Sequence, residues 1–184
     1  STFVLSIKQK PMINFQISCP NPASQFLSIQ LQVENVGLDE LELQLPAWRA
    51  GRYQLENYAQ NVRFLKAWDE NHNPLALQKI TKDRWAIRGQ GKITISYEYW
   101  AGKMDAGSAW VDDQQVYFNL VNCCFEVIGL SHLPIEVKLD LPDFPEQIST
   151  LNPLKKGSWL AADFQMLADS TVLASKNLTN WNYQ

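Results

Sequence analysis

Histidine is nearly missing from this chain of 184 residues: there are two, His72 and His132, and neither belongs to a His-Glu-x-x-His run. That run sets two imidazoles one helical turn apart on a zinc ion, so the chain predicts no metal site of its own. His72 sits in a turn, Asn71-His72-Asn73-Pro74, and His132 in Ser131-His132-Leu133-Pro134; both read as loop residues. Cysteine is scarce too. Cys19 and the adjacent pair Cys123-Cys124 make an odd, irregular set, which is not a disulfide framework. In a strand the vicinal pair would point to opposite faces, so the expectation is small hydrophobes in or near the core. No long apolar run exists from which a membrane-crossing helix could be built. The opening Ser1-Thr2-Phe3-Val4-Leu5-Ser6-Ile7-Lys8 has no basic n-region or long apolar stretch, so no signal peptide is visible. The net charge of −3, without clustered Lys and Arg, excludes nucleic acid as the expected partner. Glycine-rich phosphate loops and a Gly-x-Ser-x-Gly elbow are absent, although a triad of distant residues stays open. Asp112-Asp113, if extended, project oppositely and make a poor acid/base pair. A chain without an active site is the expectation.

What the chain does have is alternation. Leu27, Ile29, Leu31 and Val33 interleave with Ser28, Gln30, Gln32 and Glu34, the pattern of a strand with one face buried. Leu41, Leu43 and Leu45 repeat it, as do Ile93, Ile95, Tyr97 and Tyr99, and Ile135, Val137, Leu139 and Leu141. Shorter candidates are 62–68, 84–88, 116–120 and 125–128. Turns are marked at Asn35-Val36-Gly37 and at 69–74, and Gly89-Gln90-Gly91 reads as a hairpin joining 84–88 to 92–99. Helix signals are confined to 53–60 and 163–169, the second with Asp163 near its start. Many short strands at close spacing predict an all-β, mostly antiparallel β-sandwich with one or two helical turns, in one domain over 1–184.

Seven tryptophans admit two readings. Large aromatics fill sandwich cores, where each buries a large apolar area. A strip of them on one exposed face would instead make a sugar-stacking platform. Trp85 lies between Arg84 and Arg88, and Trp100 and Trp110 bracket the loop 101–109.

One segment departs from the alternating background: Leu45-Pro46-Ala47-Trp48-Arg49-Ala50-Gly51-Arg52-Tyr53, continuing to Asn61-Val62. Pro46 stops a strand ladder and Gly51 permits a backbone closed to other residues. Trp48 and Tyr53 would pin the loop by packing. The segment resembles the amino-terminal domain of the glycyl aminopeptidase family of zinc metallopeptidases, with its Leu-Pro-x-Trp-x-Pro-Gly-x-Tyr stretch leading to Asn-Val. Leu45, Pro46, Trp48, Gly51, Tyr53, Asn61 and Val62 fit that pattern. The basic stretch 79–87 with Trp85, the strand 93–99, and Met166-Leu167-Ala168-Asp169-Ser170 extend the likeness over nearly the whole chain. Ala50 stands where the family has proline, which loosens the loop, and Arg52 stands at a position often held by a small polar residue.

The resemblance implies the first, non-catalytic domain of a larger aminopeptidase. Zinc and the His-Glu-x-x-His helix would lie in a catalytic domain of the same polypeptide, absent here, and peptide substrate would bind only in the full-length protein. The motif loop would either stabilise a domain junction or border the substrate cleft. The segment 178–184, with Trp181 and Tyr183, reads as unfinished, and it and the loop 48–58 are expected to carry apolar docking surface. Two other readings remain: a stand-alone binding module, for carbohydrate, and an independent enzyme with an unrecognised site. Asn177-Leu178-Thr179 matches a glycosylation sequon, a tripeptide common by chance.

Overall fold

The computed structural model describes residues 13–35, 38–49, 51 and 55–179. Its strands, in chain order, are β1 (Ile13–Ser18), β2 (Phe26–Asn35), β3 (Glu40–Gln44), β4 (Val62–Trp68), β5 (Pro74–Leu75), β6 (Leu77–Lys79), β7 (Arg84–Arg88) and β8 (Gly91–Trp100). There follow β9 (Ala109–Val111), β10 (Gln115–Asn119), β11 (Glu126–Val127), β12 (Ile135–Asp140), β13 (Glu146–Ser149), β14 (Asn152–Lys155), β15 (Ser158–Ala161) and β16 (Thr171–Ser175). Two short helices, α1 (Leu120–Cys123) and α2 (Phe164–Ala168), interrupt them, and Pro22–Ser24 and Tyr58–Asn61 form 3-10 turns.

Alternation builds the largest sheet, which has eight strands in the order β14-β15-β12-β1-β2-β8-β4-β5. Only β1 and β12 run parallel in it; its other neighbours are antiparallel. Ten residue pairs join β2 to β8, and Leu31 lies between Phe15 of β1 and Ile95 of β8. The inward rows Leu27, Ile29, Leu31, Val33 and Ile93, Ile95, Tyr97, Tyr99 are buried, as the period-two pattern requires. Ile13, Phe15 and Ile17 of β1 join them, although β1 lies outside the strands expected from the sequence. Two four-stranded sheets, β11-β3-β7-β6 and β13-β16-β10-β9, complete a β-sandwich-like fold with mostly antiparallel pairing. β13 to β16 were also unanticipated: at four or five residues each, they are too short for alternation to stand out.

Three local expectations need correction. Gly89-Gln90-Gly91 is not a hairpin, because β7 pairs with β3 and β6 whereas β8 pairs with β2 and β4. The connection turns a corner between sheets, with Gly91 at φ +73°, a conformation that favours glycine. β7 also buries Trp85, Ala86 and Ile87 in succession, so it is covered on both faces and is no partner for a half-wet strand. The Cys123-Cys124 pair is not in a strand. Leu120-Val121-Asn122-Cys123 coil into one helical turn, and a short apolar run of this kind does not declare its period. Burial on every side is the result, and both cysteines are free and fully buried. The helical stretch expected at 53–60 is the shorter turn Tyr58–Asn61, and residues 53 and 54 lie outside the described residues. So do Val36 and Gly37 of the first expected turn, and Ala50 and Arg52.

Burial has a consequence at alkaline pH. It pushes the Tyr97 hydroxyl and the Cys124 thiol well above their ordinary ranges, raises Tyr99, and takes Cys19 up to about 11. Each group is neutral when protonated, so the folded chain holds protons that the unfolded chain releases. Stability from these groups is therefore full below about pH 9 and is lost as pH climbs through the thiol and phenol range. Urea midpoints measured from pH 8 to 10.5 are expected to stay level at first and then fall; a midpoint that rises with pH reverses the assignment.

Candidate functional site

Leu45, the first residue of the motif, is fully buried just beyond β3, and its N–H donates to the Asp83 carbonyl at 2.9 Å. Pro46 then ends the ladder, as a residue without an N–H must. The chain loops out, and the N–H of Glu56 donates back to the Ala47 carbonyl at 2.6 Å, closing the loop at its neck. Gly51 has φ +84° and open space where a Cβ would sit, so backbone conformation, not crowding, is what calls for glycine.

Past the neck, the Lys82 ammonium donates to Asn57 Oδ1 at 2.6 Å. Asn61 Nδ2 donates to the Tyr99 hydroxyl at 3.1 Å, and Val62 sits opposite Tyr99 as β4 begins. Asn61 thereby ties the motif loop to the centre of the large sheet. Tyr53 lies outside the described residues.

Trp48 does not pack the loop down. It is 54% exposed, on the rim of a cleft of about 440 Å³ that it shares with Pro46 and Arg49. The other lining comes from α1, β11, the segment before β12 and α2, bringing Glu126, His132, Asp163 and Asp169 to the same cleft. Sequence reasoning placed His132 in a loop and Asp163 at a helix start; that they face the motif loop depends on tertiary packing.

Asp163 caps α2 by accepting the Met166 N–H at 2.8 Å, and the Phe164 N–H donates to the Ser131 carbonyl at 2.8 Å. Glu126 accepts from the Ser131 hydroxyl at 2.7 Å, and Asp169 from Gln165 Nε2 at 3.0 Å. Each of these carboxylates is thus engaged in holding its own segment. The cleft offers the Trp48 indole, the Arg49 guanidinium, the His132 imidazole, the Ser131 hydroxyl and three carboxylates. That set suits recognition of a polar chain.

Among the described residues no group of three or more His, Cys, Asp or Glu side chains could hold a metal ion. His72 is far along the chain in the tight turn after β4, where Asp69 accepts from the N–H groups of Asn71 and Asn73. The remaining tryptophans divide between core and surface. Trp85 and Trp159 are buried, while Trp100, 40% exposed, ends β8 on a different cleft from Trp48. No described helix is long and apolar enough to cross a membrane.

The fold has known relatives. An aminopeptidase N family protein from Idiomarina loihiensis superposes with a TM-score of 0.82 and 26% identity, over 90% of this chain and 29% of its own. An M1 zinc metallopeptidase variant from Deinococcus radiodurans, solved with a Tyr-Ser-Ala substrate, gives 0.50 and 11% identity, over 88% of this chain and 41% of its own. The chain therefore spans less than half the length of either protein. A search of curated proteins finds no match. Residues 14–176 match the model of the peptidase M61 N-terminal domain, and on that match the chain belongs to the peptidase M61 N-terminal domain family.

Proposed function

We propose that this chain is the non-catalytic amino-terminal domain of a zinc aminopeptidase of the glycyl aminopeptidase type, packed on the catalytic domain of the same polypeptide. The match over residues 14–176 carries the reading. The Idiomarina relative supports it, because 90% of this chain accounts for only 29% of that one, leaving most of the relative's length for other parts. The described residues present no group of three or more side chains that could hold a metal ion, and in this reading zinc sits in the catalytic domain. There the metal would polarise the scissile carbonyl and activate water. This domain's contribution is surface: the cleft beneath Trp48 and Arg49 borders the path of the peptide. A stand-alone sugar module would need a run of exposed aromatics, and the two most exposed of the described tryptophans, Trp48 and Trp100, stand on separate clefts.

The test compares the full-length gene product with residues 1–184. The full-length protein is expected to hold one equivalent of zinc and to release glycine from glycyl substrates. The 184-residue chain should hold well under one equivalent and release none. Stoichiometric zinc in the short chain, lost on replacing His72, His132 or the cysteines, overturns the assignment. In the full-length enzyme, Trp48→Ala is expected to raise KM for peptides while leaving the melting temperature in place, since an exposed ring contributes little to the core. An unchanged KM assigns the loop to the domain junction alone.

A further inference from the structure

A row of apolar side chains crosses the outer face of the β13-β16-β10-β9 sheet. In the strand register Ile148 stands opposite Leu173, Leu173 opposite Tyr117, and Tyr117 opposite Trp110. The alternate residues Val172, Ala174, Val116, Phe118 and Val111 are buried in the core, so the row points away from it. Strands about 4.8 Å apart make the row roughly 15 Å wide. Ile148 is 49% exposed, and Met104, at 64%, lines a shallow cleft with Trp110, Tyr117 and Leu173.

The large sheet of the same molecule shows what a face meant for water looks like. Its outer rows read Gln16, Gln30, Ser96 and Asn14, Gln32, Thr94. An antiparallel sheet with one wet face is polar there, and the β13-β16-β10-β9 sheet departs from that pattern along its middle row.

The polar ends of the two aromatics are already occupied. Trp110 Nε1–H donates to Asp112 at 2.8 Å, and the Tyr117 hydroxyl donates to the Ala106 carbonyl at 2.9 Å. What remains to meet a partner is hydrocarbon and ring. Held rings of this kind lose little freedom on contact, and they suit an apolar protein surface better than sugar hydroxyls.

The chain's own course says which protein surface. The family match ends at residue 176, directly after β16, a middle strand of this sheet. The following backbone is fastened beside the row: the Lys176 N–H donates to Gln114 at 3.1 Å, and the Leu178 N–H donates to the Glu146 carboxylate. Polypeptide that follows the family domain therefore starts at the edge of this face, and being tethered there raises the effective concentration of its patch.

We propose that this face is where the catalytic part of the parent polypeptide docks, through an apolar patch of its own set against Ile148, Leu173, Tyr117 and Trp110. The inference rests on the proposed function.

Hydroxyl-radical footprinting of the full-length gene product tests it, read by mass spectrometry against peptides of the same sequence. Met104 and Ile148, both exposed on this domain, are expected to oxidise several-fold more slowly than in the peptides, and Leu173→Lys to restore their rates. Free-peptide rates at these residues with protection at Trp48 or Phe64 place the docking face elsewhere and leave the docking reading standing. Free rates at every exposed residue of residues 13–179 defeat the docking reading itself. Protection that rises with protein concentration assigns the face to a second copy of the chain and overturns the proposal.

Discussion

Replacing Leu31 by alanine is expected to lower the free energy of unfolding by about 2–5 kcal/mol, the cost of lost transfer energy plus an unfilled cavity. Leu31 is wholly buried at the middle of the eight-stranded sheet, between Phe15 and Ile95. Backbone pairing on both sides holds the site open, so the neighbours cannot collapse into the space. The adjacent residue Gln30 points to the other face, and Gln30→Ala is expected to change stability by less than about 0.5 kcal/mol. Urea denaturation of the two variants measures the difference. Equal midpoints would mean that the inward face of β2 has been misassigned.

Phe125→Ala is expected to cost about 3–5 kcal/mol, at the upper end of core substitutions. Phe125 is fully buried between the layers. Its ring meets Trp85 of β7 edge-on, with centroids 5.4 Å apart and planes at 84°, and Tyr97 of β8 at 4.9 Å and 72°. Such pairs add about 0.5–1.5 kcal/mol beyond area burial. The Tyr97 hydroxyl also donates to the Cys123 carbonyl at 2.6 Å, so the same cluster anchors α1. Phe125→Leu keeps most of the volume and loses the edge contacts, and is expected to fall between alanine and the parent. With alanine, near-ultraviolet circular dichroism should lose the part of its aromatic signal that comes from Trp85 and Tyr97, because these lose the ring that orients them. An unperturbed spectrum and midpoint would show that the two sheets do not depend on this cluster.

Both expectations rest on how different kinds of information were distributed in the chain. The inward faces of β2, β8 and β12 were legible because the pleat alternates side chains by local geometry, whatever the strand pairs with. The Asp163 start of α2 was legible because a cap is also local: its carboxylate meets an N–H three residues on. The motif loop was legible as a type, since the proline and glycine that shape it have backbone consequences of their own. Trp48 was expected to pack and is exposed, because where a ring ends up depends on what stands opposite it.

The sequence alone determined that this is an all-β chain with one-sided strands, and it carried the motif that led to the peptidase family. Tertiary structure decided the rest. It made β1 and β12 parallel neighbours across more than a hundred intervening residues, and it sent β7 and β8 to different sheets despite a short glycine link. It set Trp48 across from His132 and Asp163, and it aligned Trp110, Tyr117, Leu173 and Ile148 into one row. Alternation tells each strand which side faces in, whereas register between strands far apart in the chain is settled by the core they fill together. A surface made of four such strands exists only after that packing is complete.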